Sequence, residues 1–551
     1  MEFKSVNKIL ENSLRTNWDR QALSNYQGTT LTYRDVARRI AKLHIAFAQC
    51  GLQKGDKVAI CSRNQANWGV SFLAAITYGA VAVPILHEFK AGNIHYLVNH
   101  CEAQVLFVDE VIWEDLSVEE MPLLKVVVQI NTFKFLFAQS EAYAKVREHL
   151  NESFGRNYPN NFGPDDLNYY EDKPDELAVI NYTSGTSGFS KGVMIPYRAL
   201  YSNIEFAVRD AEPQLKAGMN VVSMLPSAHM YGMMFEFLFE IAIGMHVHFL
   251  SRVPSPKVIM NAFAEIHPDI IIAVPLIIEK VYKSKLKPVI DRSKIAMGLP
   301  VLDHMINKKF LTELTNSFGG QFEEVILGGA AFNPEVEKFF HRIGFHYTVG
   351  YGMTECAPII CYAHWDKVKV GSCGRPAMNM QIRIDSEDPR HVPGEVQVFG
   401  PNVCLGYFKN EAATRDLFTE DGWMKTGDMG IVDEDGYLFL RGRSKCMILG
   451  PSGQNIYPEE IEAIINSYNY IIDSLVVEED GALTALVYPD YQLAELDGMD
   501  RAALESKLEA ALPELNRVLP NYSHVKKVEF MPEDFERTPK KSIKRYLYQR
   551  N

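Results

Sequence analysis

The sequence predicts an α/β protein: a large, multi-layer N-terminal unit with mostly parallel sheets and a β-rich submodule, followed by a small, compact α+β unit. Three observations carry this expectation. Short apolar runs alternate with amphipathic helical stretches from the start of the chain to about residue 366, the pattern of parallel sheets covered by helices. Beyond that point glycine turns become frequent and apolar residues alternate with polar ones, as in Glu395-Val-Gln-Val-Phe399 and Tyr437-Leu-Phe-Leu440, the period of half-buried strands. A turn at Gly450-Pro-Ser-Gly453 then sets off a last stretch with its own helix and strands. The expected units are 1–444, with the β-rich submodule at about 366–444, and 445–551.

Residues 31–51 read as the first clear helix. Thr32 and Asp35 make a capping-box-like start, Val36, Ile40, Leu43 and Phe47 keep one face apolar, and Gly51 is placed to stop it. Strands are expected at Val58–Cys61, Val81–Pro84 and Val105–Val108, with a helix from about Trp68 to Tyr78. Further buried strands are expected at Leu177–Ile180, Val221–Leu225, His246–Leu250, Ile270–Ala273 and Glu324–Leu327. Each precedes a turn or polar patch, where ligands gather in such sheets. In the last unit, Pro458 starts a helix through Ile461 and Ile465, strands follow at Ser474–Val477 and Leu483–Val487, then one helix over 500–519 and a strand at Val525–Phe530.

Composition narrows the function. With 551 residues, 47% hydrophobic and 23% charged, the chain is an ordinary globular protein of more than one domain. A net charge of −13 argues against a general nucleic-acid surface. The eight cysteines include no CxxC pair and no cluster, which suits buried thiols in a reducing compartment better than a disulfide framework or zinc site. The N-terminus has no signal-like apolar stretch, and the run from Met233 to Met245 is too short for a membrane span and contains Glu236 and Glu240. A soluble, cytoplasmic protein is expected.

The chemistry is carried by ordered motifs. Tyr182-Thr-Ser-Gly-Thr-Ser-Gly-Phe-Ser-Lys-Gly-Val193 follows a buried strand and is rich in backbone and hydroxyl donors that can wrap phosphate oxygens, with Lys191 adding charge. It is not a Walker A loop, because Lys191 lies between Ser190 and Gly192. Composition alone leaves open a Gly/Ser surface loop with no ligand. Leu225-Pro-Ser-Ala-His229-Met-Tyr-Gly232 places a histidine between a strand and an apolar run; a lone histidine is also a common structural hydrogen-bonder. Gly328-Gly-Ala-Ala331 permits close approach of a flat ring, or makes a tight strand-to-helix turn. Gly350-Tyr-Gly-Met-Thr-Glu355 offers a carboxylate, a hard ligand for a metal that bridges phosphates. Gly422-Trp-Met-Lys-Thr-Gly-Asp428, Arg443 and the basic run Arg537-Thr-Pro-Lys-Lys-Ser-Ile-Lys-Arg545 complete the set.

In this order the motifs resemble the adenylate-forming superfamily of acyl-CoA synthetases, firefly luciferase and peptide-synthetase adenylation domains, from about residue 20 to the C-terminus. Within it the chain is most similar to long-chain fatty acyl-CoA synthetases. The resemblance implies ATP, Mg2+ and coenzyme A. Thr183, Ser184, Gly185, Thr186, Ser187, Gly188 and Lys191 would hold the ATP phosphates. Gly329, Ala330, Tyr351 and Gly352 would face adenine, Thr354 the α-phosphate, and Asp428 and Arg443 the ribose. Thr183 and Glu355 would ligate magnesium. His229, Met230, Met233, Met234 and Val274 would line the acyl pocket, Lys445 would be the hinge, and Gly453 would line the coenzyme A side. Family members usually carry a Gly-Lys pair near the C-terminus, and this chain does not. One alignment puts the catalytic lysine at Lys541, with Lys540 and Lys544 as substitutes, and another puts Ser542 there. The expected reaction joins a medium- to long-chain fatty acid to coenzyme A through an acyl adenylate. An aryl or short-chain acid, loading of an acyl carrier protein, and an impaired adenylate-binding homologue stay open as alternatives. The resemblance also leaves peripheral membrane contact and a homodimer open.

Overall fold

A computed structural model describes residues 2–183, 191–251, 255–282, 300–449, 454–479, 481–538 and 542–550. The fold class is the expected one. A seven-stranded sheet runs in the order Phe135–Ala138, Val126–Gln129, Ala103–Val108, Lys57–Cys61, Val81–Ile85, Leu177–Thr183, Lys191–Pro196. Its inner strands are parallel and its two edge strands antiparallel. A second sheet orders Asn220–Ser223, His246–Phe249, Gln21–Asn25 and Thr30–Thr32. A third, all parallel, is Ile271–Ala273, Val325–Leu327, Tyr347–Val349, and a single parallel bridge from Val221 to Ile270 connects it to the second.

The chain's local signals explain these elements. The Tyr33–Gln49 helix begins with the expected capping box: Asp35 N–H donates to Thr32 Oγ1 at 3.2 Å, and Thr32 N–H donates to Asp35 Oδ2 at 3.0 Å. It ends at Gln49, and Gly51 follows in the left-handed region. It is not the first helix. Val6–Thr16 precedes it, capped by Ser5, with Val6, Leu10 and Leu14 buried at helical spacing. Between the first two sheets the core is aromatic: Trp68 and Phe72 stack at 5.4 Å, and Phe237 meets Trp68 edge-on at 5.7 Å. Gly69 lets the Phe237 ring come this close, since a Cβ there would lie 2.7 Å from it.

A wholly antiparallel stretch starts at Tyr351–Gly352, which pairs with Ile359–Tyr362. A four-stranded antiparallel sheet follows: Gln381–Asp385, Gly394–Phe399, Met424–Val432, Leu438–Arg443. The last stretch has a core of its own, built from Ile456, Ile461, Ile465, Val476, Leu483, Leu504 and Val525 among others. Its sheet is Ile471–Glu479, Ala482–Pro489, Val525–Phe530. The single helix expected over 500–519 is two, Arg501–Ala510 and Leu512–Val518, because Pro513 has no N–H to continue the first and suits the start of the second. Among the described residues no helix is long and apolar enough to cross a membrane.

Candidate active site

Most of the candidate residues lie just past the C-terminal ends of parallel strands, where open α/β sheets bind ligands. Thr183 ends one strand, the His229 loop follows Asn220–Ser223, Val274 follows Ile271–Ala273, Gly328 follows Val325–Leu327, and Gly350 follows Tyr347–Val349.

The two ends of the glycine-rich motif lie on paired antiparallel strands. Leu177–Thr183 pairs with Lys191–Pro196, with Tyr182 opposite Gly192 and Thr183 opposite Lys191. Ser184, Gly185, Thr186, Ser187 and Gly188 lie outside the described residues. Thr183 Oγ1 donates to the Lys191 carbonyl at 3.4 Å. The Lys191 ammonium sits 4.7 Å from the centre of the Tyr407 ring. The Tyr407 hydroxyl donates to Glu355 Oε1 at 2.9 Å. Glu355 and Thr354 are buried in the 3-10 turn Thr354–Cys356.

One turn upstream, buried Tyr351 donates its hydroxyl to Asp428 Oδ2 at 2.6 Å. Across the antiparallel pair, Arg443 lies opposite Asp428 and brings Nε to within 3.1 Å of its Oδ1. Burial raises the Asp428 pKa, with Arg443 and the Tyr351 hydrogen bond opposing it. Tyr351, Asp428 and Arg443 therefore form one linked group and Lys191, Tyr407 and Glu355 another, and the short backbone run through Gly352 and Thr354 connects the two.

A second wall is apolar. His229 is half-buried and caps the Met230–Met233 helix, which continues through a π-helical turn, Met234–Leu238, into Phe239–Ile243. Met230, Met233 and Met234 are fully enclosed. Tyr231 lays its ring against Gly328, where a Cβ would come within 3.1 Å, and donates to the Ile326 carbonyl at 3.0 Å. Gly329 and Ala330 are exposed, and half-buried Val274 is the nearest neighbour to the space beside Gly329. Two asparagines that carried no signal in the sequence pin the His229 loop: Asn64 Nδ2 donates to the Leu225 carbonyl at 2.6 Å, and Asn181 Nδ2 to the Ala228 carbonyl at 2.9 Å.

Lys445 is exposed on the turn Ser444–Cys446. Lys544 pairs with Glu536 at 3.0 Å. Gly453, Lys540 and Lys541 lie outside the described residues.

A family profile described as "AMP-binding enzyme" matches residues 10–408, and one described as "AMP-binding enzyme C-terminal domain" matches 447–551. The long-chain-fatty-acid–CoA ligase FadD15 of Mycobacterium bovis is 26% identical over 94% of this chain and 90% of its own length. The long-chain-fatty-acid–[acyl-carrier-protein] ligase AEE15, chloroplastic, of Arabidopsis thaliana is also 26% identical, over 90% of this chain and 77% of its own. The fold is shared with the anthranilate CoA ligase AuaEII in complex with anthranoyl-AMP, at a TM-score of 0.79 and 18% identity, covering 100% of this chain and 97% of that one. Matched by both profiles and sharing its fold from end to end with such a ligase, the chain belongs to the AMP-binding enzyme family, the adenylate-forming group that its motifs resemble.

Proposed function

We propose that the protein is an acid–thiol ligase that activates a medium- to long-chain fatty acid in two half-reactions. In the first, a carboxylate oxygen of the acid attacks the α-phosphorus of ATP. The bond to the β-phosphate oxygen breaks, and pyrophosphate leaves with its electron pair. In the second, the sulfur of coenzyme A attacks the acyl carbon, the bond to AMP breaks, and the thiol gives up its proton. The protein supplies no nucleophile; it orients the reactants and offsets phosphate charge.

The observation that carries this reading is the connected polar group at the strand ends. Asp428 presents a carboxylate suited to ribose hydroxyls, and Lys191 a cation suited to phosphate. Thr354, buried in the turn beside Glu355, would face the α-phosphate. Lys541 would add the cation that the acid carboxylate and α-phosphate need during adenylation. Magnesium is expected with the nucleotide, and the donors fit it. The Glu355 carboxylate and the Thr183 hydroxyl are hard oxygen ligands, and such sites hold the ion through one or two protein oxygens plus substrate phosphates. When bound, the ion would draw charge from the phosphate oxygens.

The acyl chain would lie against Met230, Met233, Met234 and Val274, with His229 at the carboxylate end. The relative named for long-chain acids supports the substrate class, and the one named for an acyl carrier protein keeps that acceptor as the second reading. The unit 1–444 would bind ATP and the acid, and 445–551 would turn about Lys445 between half-reactions, bringing Gly453 toward coenzyme A. The separate core of the last stretch supports such a division.

The test is AMP release from ATP with acetate, benzoate, octanoate and palmitate, with coenzyme A or acyl carrier protein as acceptor. Octanoate or palmitate is expected to win with coenzyme A. A pocket wall adds about 1–3 kcal/mol per methylene, so chain length should grade the rate. Preference for benzoate would move the reading to an aryl ligase, and no release with any acid would end it.

A further inference from the structure

Tyr407 is absent from the sequence-derived site, yet it touches both of that site's opposite charges. It lies in the segment 404–408, which runs along the outer edge of Lys191–Pro196. Val193 bridges Tyr407 in antiparallel fashion, Met194 N–H donates to the Gly406 carbonyl at 2.9 Å, and Phe408 N–H donates to the Gly192 carbonyl at 2.8 Å. At its other end the segment holds the Glu355 turn, through Cys404 N–H to the Glu355 carbonyl at 2.8 Å. The backbone thus ties the phosphate hairpin to the carboxylate turn, and one side chain spans the gap.

We propose that Tyr407 is a positioning residue that holds the Glu355 carboxylate and the Lys191 ammonium apart, each aimed at its own ligand. The claim rests on the reading that these two groups serve the metal and the triphosphate. Two opposite charges this near each other would otherwise pair and neutralise. Among the described residues no ion pair joins Lys191 to Glu355, although both touch Tyr407. The ring face attracts the ammonium through its quadrupole, and the hydroxyl gives the buried carboxylate the hydrogen bond it needs. One carboxylate oxygen is thereby fixed, so the other has a set direction. The side chain itself is fixed: it is 8% exposed, and its backbone N–H donates to Thr414 Oγ1 at 2.9 Å. Phenylalanine would preserve the spacer and lose the donor, and leucine would lose both.

The experiment uses the full chain with Tyr407→Phe and Tyr407→Leu, measuring ATP affinity by calorimetry with and without Mg2+, beside acid-dependent pyrophosphate exchange. For Tyr407→Phe the gain in ATP affinity on adding Mg2+ should shrink about tenfold, the size of a charged hydrogen bond. ATP affinity without Mg2+ should stay near wild type. For Tyr407→Leu both should fall, since Lys191 loses its platform. Thermal unfolding of the phenylalanine variant shows whether the fold is kept, and calorimetry needs no turnover. If wild type binds ATP with a Mg2+-dependent gain and Tyr407→Phe keeps that gain, Tyr407 is only structural and the proposal is overturned. If wild type shows no Mg2+-dependent binding at all, the functional reading of Glu355 falls with it.

Discussion

Glu240 is a carboxyl enclosed by apolar side chains, and neither of its oxygens has a hydrogen-bond partner among the described residues. Burial pushes its pKa from 4.5 to about 8. Glu236, one turn earlier, is equally buried but accepts the Leu225 N–H at 2.9 Å and the Ser223 hydroxyl at 3.3 Å. The folded chain therefore keeps a proton on Glu240 that the unfolded chain releases. That contribution to stability is fully present below the ordinary carboxyl range and is lost as pH rises through about 8. Glu240→Gln removes the titration without emptying the space. Thermal unfolding should show the two proteins close together at about pH 5, and the variant should gain on wild type by a few kcal/mol at about pH 9. A constant offset across the range would mean that Glu240 does not titrate on unfolding. At this scale the apolar wall is not simply greasy, since it holds two acids whose protonation depends on staying dry.

The element that sets Tyr351 against Asp428 is the short hairpin of Tyr351–Gly352 with Ile359–Tyr362. Tyr351 reaches Asp428 only if this pairing is tight, and Gly352 makes it so. A Cβ there would collide with the Pro358 carbonyl oxygen and press on Ile359 Cα, both backbone atoms that cannot swing aside. Gly352→Ala should cost about 1–3 kcal/mol by overpacking and weaken ATP binding by pulling Tyr351 off Asp428. Unfolding with and without ATP checks both, and an unchanged midpoint with full ATP protection would show that the hairpin yields freely. The sequence made elements of this kind legible where the signal was local. Apolar runs marked the parallel strands, Thr32 and Asp35 marked a helix start, and the motifs marked Asp428, Glu355 and Lys191. Signals overlooked near the termini were also local, such as the Ser5 cap and the break that Pro513 imposes. Asn64, Asn181 and Tyr407 were different. Their partners come from elements far off in the chain, and a single asparagine or tyrosine has no period to betray it. Spatial relations between motifs, such as the hydroxyl of Tyr351 on Asp428, were illegible for the same reason.

At the scale of the whole molecule, polar links among the described residues join the last stretch to what precedes it. Arg441 pairs with Glu460 at 3.2 Å, and a Cβ on Gly442 would lie 2.8 Å from Glu459 Oε2. Arg545 pairs with Glu462 inside the last stretch, which therefore carries a charge pair of its own. Between the parts runs the turn Ser444–Cys446, held by Met447 N–H to the Arg443 carbonyl at 3.1 Å and by Ser444 Oγ to the Gly427 carbonyl at 3.1 Å. Lys445 at its centre is exposed, so its side chain is free to follow the rotation proposed for it. Proline there would fix its φ near −65° and restrict Ser444 as well. If the proposed rotation about Lys445 separates the half-reactions, Lys445→Pro should trap the arrangement in which proline is tolerated. Pyrophosphate exchange, which reports adenylation, should then stay within about threefold of wild type. Thioester formation from supplied acyl adenylate should fall by about tenfold or more, a barrier rise of about 1.4 kcal/mol. Both rates come from one preparation, so misfolding would lower them together. Equal losses with an unchanged unfolding midpoint would place the pivot elsewhere in the chain.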